Sequence, residues 1–297
     1  MKTFLMYADR DFDTEGELPA NAAALTEDLG LDTLFAAMSR GDEFLSNVAR
    51  HGILASLHDI DAITYRQRIL EDCLRQAAVV REIYDTAVEA VLGSKKIYRG
   101  IFSRSPDAIL RWATEALQMF MGLLERLRHI ADEHAASFRS EGFTTLFGTL
   151  ARELGDDYFQ AVGDHLDQLR FRGGVLVSGE LGKGFKGIRY VLRRPTQRKE
   201  SWLSRISGDG RTSYTLKVRD RDESGFRTLS DLRGRGINIA ANALAQSTDH
   251  ILSFFTMLRR ELGFYVGCLN VHDVLMVKAE PLCRPVPLAP GAPRHGA

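Results

Sequence analysis

Several signatures are missing from this 297-residue chain, and each absence removes a class of function. Cysteine is scarce: Cys73, Cys268 and Cys283 stand far apart, with no C-x-x-C pair. That spacing supports neither a zinc knuckle nor a disulfide framework, and it fits a reducing compartment. No histidine has a glutamate three residues before it, and H-E-x-x-H is absent, so the helical di-iron and zincin patterns fail. His129 lies between Glu125 and Glu133 at helical spacing, a surface charge network, and His134 falls on an apolar seam as a core histidine. There is no G-x-S-x-G nucleophile elbow. No apolar run is long enough to span a bilayer, and charge ends the opening "MKTFLMYADRDFD" before a signal core can form, so a cytoplasmic protein is expected. Proline is rare until the end, where five of eight fall in "EPLCRPVPLAPGAPRHGA" and mark residues 281–297 as a linker or frayed tail.

One stretch imitates a missing signature. "GELGKGFKG", Gly179 to Gly187, has the glycines and lysine of a phosphate loop. A P-loop requires G-x-x-x-x-G-K-[ST], whose backbone amides cradle phosphate and whose hydroxyl binds Mg²⁺. With Gly182-Lys183 as the G-K pair, the first glycine is replaced by Val177 and the hydroxyl by Gly184. The stretch also runs into the alternating "IRYVL" where a P-loop opens a helix, so it reads as a turn between strands. No catalytic residue is assigned, no metal site, and no cofactor.

Charge is present, and unevenly placed. Net charge is zero, yet Arg170 to Arg221 carries fourteen Lys/Arg against four acids, leaving the remainder at −10. Such asymmetry points to an anionic partner. The same segment changes period. "GGVLVSGEL", "GIRYVLRRP" and "SYTLKVRD" are β-branched and aromatic between glycine turns, and read as strands.

On either side the pattern is helical. Residues 1–30 read as an extended lead-in with a short helix. From Leu31 a helix, a break at Gly41 and a second helix follow. Asp59 suits an N-cap, and Ile60, Ile63, Gln67, Leu70 and Leu74 form the stripe predicted to be buried. Ser105-Pro106 opens a long helix with a seam through Ile109, Ala113, Ala116, Phe120, Leu123, Leu127, Ile130 and His134. From Gly236 a last helix carries Ala240, Leu244, Ser247, Ile251, Phe254, Leu258, Leu262, Tyr265, Leu269, His272 and Met276 on one stripe. Its Gly263 and Gly267 permit either close helix approach or a kink. The fold class is mainly α: a long-helix bundle with a small antiparallel β insertion. The segments are 1–30, 31–170, 171–221 (basic β insertion), 222–280 (returning helix) and 281–297.

"LDTLFAAMSRGDEFLSNVARHGILASLHDIDAITYRQRILEDCL", with its Ile63-x-x-Arg66 pattern followed by Ile69 and Leu70, resembles the core of the MutS family of mismatch-repair ATPases. "ILSFFTMLRRELGFYVGCLNVHDVL" resembles the family's long returning helix. The similarity spans most of residues 31 to 280. It implies a lever of long helices joining a DNA-touching clamp to an ATPase, with residues 171–221 in the place of the clamp. The family's Walker A lysine and Mg²⁺ site are expected beyond the lever, and the chain shows neither. ATP and Mg²⁺ are therefore implied only for an ATPase domain absent from this sequence, and no activity of its own is expected. The expected partners are the DNA phosphate backbone, through Lys183, Lys186, Arg189, Arg193, Arg194, Arg198 and Lys199, and a MutS-type ATPase domain or a second copy; no membrane is expected. The alternative is a helical interaction scaffold, or a fragment, with no DNA role.

Overall fold

The computed structural model describes residues 1–99, 105–171, 175–183, 187–193 and 223–288. Among the described residues the fold is mainly α with a small two-stranded antiparallel sheet. In chain order the helices are α1 (Ala22–Asp28), α2 (Leu31–Ser39), α3 (Glu43–Leu54), α4 (Ile60–Arg75), α5 (Ala77–Arg99), α6 (Pro106–His134), α7 (Glu141–Glu153) and α8 (Asp156–Leu169). Strands β1 (Leu176–Leu181) and β2 (Gly187–Arg193) follow, and α9 (Glu223–Val277) completes the order. Among the described residues no helix is long and apolar enough to cross a membrane.

Local chemistry sets the helix starts. Asp42 accepts the Leu45 amide at 3.0 Å to begin α3, and Asp59 accepts the Ala62 amide at 3.0 Å to begin α4. The Ser105 hydroxyl accepts the Ala108 amide at 3.3 Å, and Pro106 takes the first position of α6. Each cap satisfies an orphan amide and contributes about 1 kcal/mol. The break between α2 and α3 uses Arg40 and Gly41, both at positive φ (49° and 87°).

The chain forms two compact units. The first comprises Met1–Lys96, Gln118–Val162 and Asp249–Ala297. Its core joins α6 to α9 through Phe120 and Phe255, both fully buried and stacked at 5.7 Å between ring centroids. Gly263 and Gly267 sit where neighbours approach closely. A Cβ on Gly263 would lie 3.3 Å from Leu45, and one on Gly267 2.9 Å from Met38, so the glycines serve packing. Gly52 of α3 is tighter still, with the Phe264 ring 2.3 Å from where its Cβ would stand.

Two expectations are corrected here. The buried positions of α4 are Ile69, Asp72 and Cys73, while Leu74 is exposed. The stripe through Ile60, Ile63, Gln67, Leu70 and Leu74 is displaced because polar side chains face inward: Asp72 is fully buried, and half-buried Arg66 reaches inward. His134 is not a core histidine; it lies half-buried with Nε2 3.9 Å from Glu133. His129 is exposed and pairs with Glu133 at 3.7 Å.

The first sixteen residues carry no regular structure, yet Leu5, Met6 and Phe12 are buried. They form a strap over the helices. Tyr265 donates to the Leu5 carbonyl at 2.6 Å, Tyr65 to Phe4 at 2.5 Å and Arg66 Nε to Met6 at 2.9 Å. The Leu5 amide donates to Glu261 of α9 at 2.6 Å. These bonds satisfy backbone groups that burial strips of water. The proline-rich tail is also engaged: Arg284 pairs with Glu71 at 2.5 Å, and Gln67 donates to the Pro285 carbonyl at 2.8 Å.

The second unit comprises Ile97–Leu117 and Gly163–Thr248. Its small core is Leu110 of α6 with Ile237 and Ala241 of α9, extended by Leu169, Phe171, Val175, Leu192 and Leu244. Helix α9 begins at Glu223, thirteen residues before the apolar period starts at Gly236.

Candidate nucleic-acid interface

The basic segment folds, where described, as a hairpin. β1 and β2 pair antiparallel from Leu176 opposite Arg193 to Leu181 opposite Gly187. "GELGKGFKG" therefore begins in β1 and ends in β2, where a P-loop would run from a strand into a helix. The strand expected in "SYTLKVRD" lies outside the described residues.

Alternation sorts the two faces. Tyr190, Leu192 and Val177 are partly buried, while Leu176, Ile188 and Val191 are exposed. The covered face rests on α9. A Cβ at Gly236 would lie 2.4 Å from Val177, so only glycine allows this approach. The Arg235 guanidinium lies 5.8 Å from the Tyr190 ring, within cation–π range. Asp107 of α6 holds Arg233 at 3.0 Å beside them.

The register slips between Ser178 and Glu180, which places an extra residue on β2. Arg189 takes the left-handed conformation there, at φ 50°. A bulge of this kind bends a strand and re-aims its side chains.

Three of the seven cations assigned to phosphate lie among the described residues. Lys183 is exposed and has no partner among them. Arg189 is exposed and pairs with Glu180 at 3.2 Å. Arg193 donates from Nε to the Ser178 hydroxyl at 2.9 Å, and its terminal nitrogens have no partner among the described residues. Lys186, Arg194, Arg198 and Lys199 lie outside the described residues. Sequence reasoning missed Arg235, which the fold brings against Tyr190. The signal was available, since "RGRG" (233–236) places Arg233 and Arg235 beside two glycines just after the basic segment.

The first unit contains different chemistry. A cleft of about 610 Å³ there is lined by strap residues such as Tyr7 and Arg10 and by His58, Tyr65 and Arg68. Burial, with help from Glu141 and Glu261, pushes the Tyr65 hydroxyl up to about 12. Glu261 is raised to about 7 because it is buried and near Asp11, although the hydrogen bond it accepts from the Leu5 amide opposes the shift. Burial also raises Cys73 and Cys268, which keeps both thiols protonated and unreactive at neutral pH. Among the described residues no group of three or more histidine, cysteine or acidic side chains could hold a metal ion.

Comparison with known proteins gives a family match. A family model described as the MutS2 N-terminal domain matches residues 58–277, more than two thirds of the chain. No curated protein and no solved structure matches. The matched region takes in α4 through α9 and the hairpin, and leaves the strap and α1 to α3 outside it. The match covers residues 58–277 of the stretch, most of residues 31 to 280, on which the MutS-like resemblance rests. By this match, the chain belongs to the MutS2 N-terminal domain family.

Proposed function

We propose that this chain is a DNA-associating, non-catalytic part of an ATP-dependent, MutS-related machine, acting in mismatch repair or a related process. The hairpin is its contact with the phosphate backbone. One observation carries the reading: the excess positive charge of a neutral protein is concentrated in an insertion that interrupts the helical sequence, and its described part is an exposed hairpin. Lys183, Arg189 and Arg193 project from that hairpin, and Lys186, Arg194, Arg198 and Lys199 extend the same charge along the sequence. Contacts of this kind give affinity without reading sequence, and they weaken steeply with salt. The family's ATPase supplies ATP and Mg²⁺ chemistry; this chain supplies binding. Its partners are DNA and a MutS-type ATPase domain or second copy, in the cytoplasm.

The test is fluorescence anisotropy of labelled duplex and branched DNA against the purified chain across a salt series. Each phosphate neutralised contributes about 0.9 to the slope of log K against log salt. We expect a steep slope that flattens when Lys183, Lys186, Arg193 and Arg194 become Glu. A chain that ignores DNA at low salt, but elutes as an oligomer, refutes this reading and establishes the helical scaffold instead.

A further inference from the structure

The first unit holds a second basic cluster, built from residues outside the segment Arg170 to Arg221. A cavity of about 260 Å³ is lined by Arg68, Glu71, Asp72, Arg75, Arg139 and Ser140. Three guanidinium-bearing residues thus surround a space large enough for a phosphate group.

The two carboxylates do not cancel them, because each is already engaged. Asp72 is fully buried; it accepts the Arg139 amide at 2.9 Å and the Ser140 amide at 2.6 Å, and it pairs with Arg75. Burial alone pushes its carboxyl up, but the hydrogen bonds from Ser140, the Arg139 amide and Arg75 outweigh burial and hold it below its usual value. Asp72 therefore stays charged and fixes both Arg75 and the start of α7. Glu71 is paired with Arg284 at 2.5 Å. Arg68 and Arg139 are exposed and make no ion pair and no side-chain hydrogen bond among the described residues.

The position adds a further attraction. Ser140 is the residue before α7, a helix of thirteen residues, so the cavity opens beside the positive end of that helix. Arg68 also lines a neighbouring cavity of about 320 Å³ with Glu71 and Arg284, which brings a fourth guanidinium nearby. Guanidinium groups pair with phosphate through two parallel hydrogen bonds, and a helix start adds field of the same sign.

We propose that the cavity between α4 and the start of α7 is a binding site for a single phosphate group, held by Arg68 and Arg139 with Arg75 positioned by Asp72. The site takes either a free phosphate-bearing small molecule or one phosphate of a nucleic acid backbone. The proposal does not depend on the hairpin contacting DNA.

Isothermal titration calorimetry of the full chain with inorganic phosphate tests it, alongside duplex DNA anisotropy on the same samples. Arg68→Gln with Arg139→Gln is expected to weaken phosphate binding by about ten-fold or more, because each loses a charged hydrogen-bonding group. Arg68→Lys keeps the charge and is expected to restore part of the affinity. Circular dichroism checks that each variant folds; both arginines are exposed, and single variants replace the pair if the double does not fold. Loss of phosphate binding with unchanged DNA affinity supports the site and assigns it to a small molecule. Loss of both, while hairpin charge reversal spares phosphate binding, supports the site and assigns it to backbone phosphate. Phosphate heats that are absent, or identical in wild type and variants, overturn the proposal whatever the hairpin does.

Discussion

Helix α9 is one element with two environments. In the first unit, all seven residues from Glu261 to Gly267 are buried, so the helix there has no solvent face. In the second unit its buried positions among the described side chains are few: Gly234, Gly236, Ile237, Ala241 and Thr248. Ile239, Leu232 and Leu229 stand in solvent there. A helix covered on all sides is held by packing, whereas a helix covered on one narrow face leaves its remaining surface for other contacts. The same polypeptide is thus structural in one unit and presents a surface in the other.

Truncation should break that comparison most visibly. Leu262→Ala removes a side chain with no exposure and is expected to cost about 2–5 kcal/mol. Ile239→Ala, at 70% exposure, is expected to stay within about 0.5 kcal/mol. Urea unfolding of the two variants reads the difference directly. Equal losses would mean that α9 is covered alike along its length.

A smaller effect is set by pH. Glu261 has a folded-state value of about 7, above that of a free glutamate, so folding favours its neutral form. Its contribution is complete below the unfolded value near 4.5 and is lost as pH rises through 7. Glu261→Gln keeps the acceptor for the Leu5 amide without the charge. Relative to that variant, the wild type is expected to lose up to about 3 kcal/mol between pH 5 and 8. A constant difference across that range would show that the carboxyl does not titrate there.

The second unit offers a sharper probe. Gly236→Ala should raise helix propensity by about 1 kcal/mol, yet its Cβ would meet Val177. We expect a net loss of about 1 kcal/mol in thermal unfolding, since overpacking of this kind costs about 1–3 kcal/mol. A gain in stability would mean that the hairpin is not pressed against α9.

The smallest effect concerns the hairpin cations. Lys183→Glu with Arg193→Glu should change stability by no more than about 0.5 kcal/mol, because both side chains are exposed. The same pair should lower duplex DNA affinity at low salt. A large loss of stability would assign these residues to the fold instead.

What the sequence revealed follows from the range of the forces involved. Asp59, Ser105 and Pro106 were legible because a cap is settled within three residues. The hairpin was legible because the hydrophobic period changes at its edges. The buried side of α4 was not legible, because its inward face carries Asp72 and Arg66, whose partners lie at Arg139, Ser140 and Met6. Glu261 was missed for the same reason: its acceptor role is fixed by Leu5, 256 residues away in sequence. For the candidate interface, the charge excess was visible in composition, but the apposition of Arg235 with Tyr190 depends on how the hairpin lies on α9.

The strap has a consequence for the order of events at the ribosome. Phe4, Leu5 and Met6 emerge early, but Glu261 and Tyr265, to which Leu5 bonds, are synthesised last of the interacting elements. Leu5 must therefore wait for these partners while some 250 residues are added at about 5–20 residues per second. Native docking of Leu5 must wait until α9 has been made. Until α9 is complete, a nascent chain presents Leu5 to whatever waits at the exit tunnel.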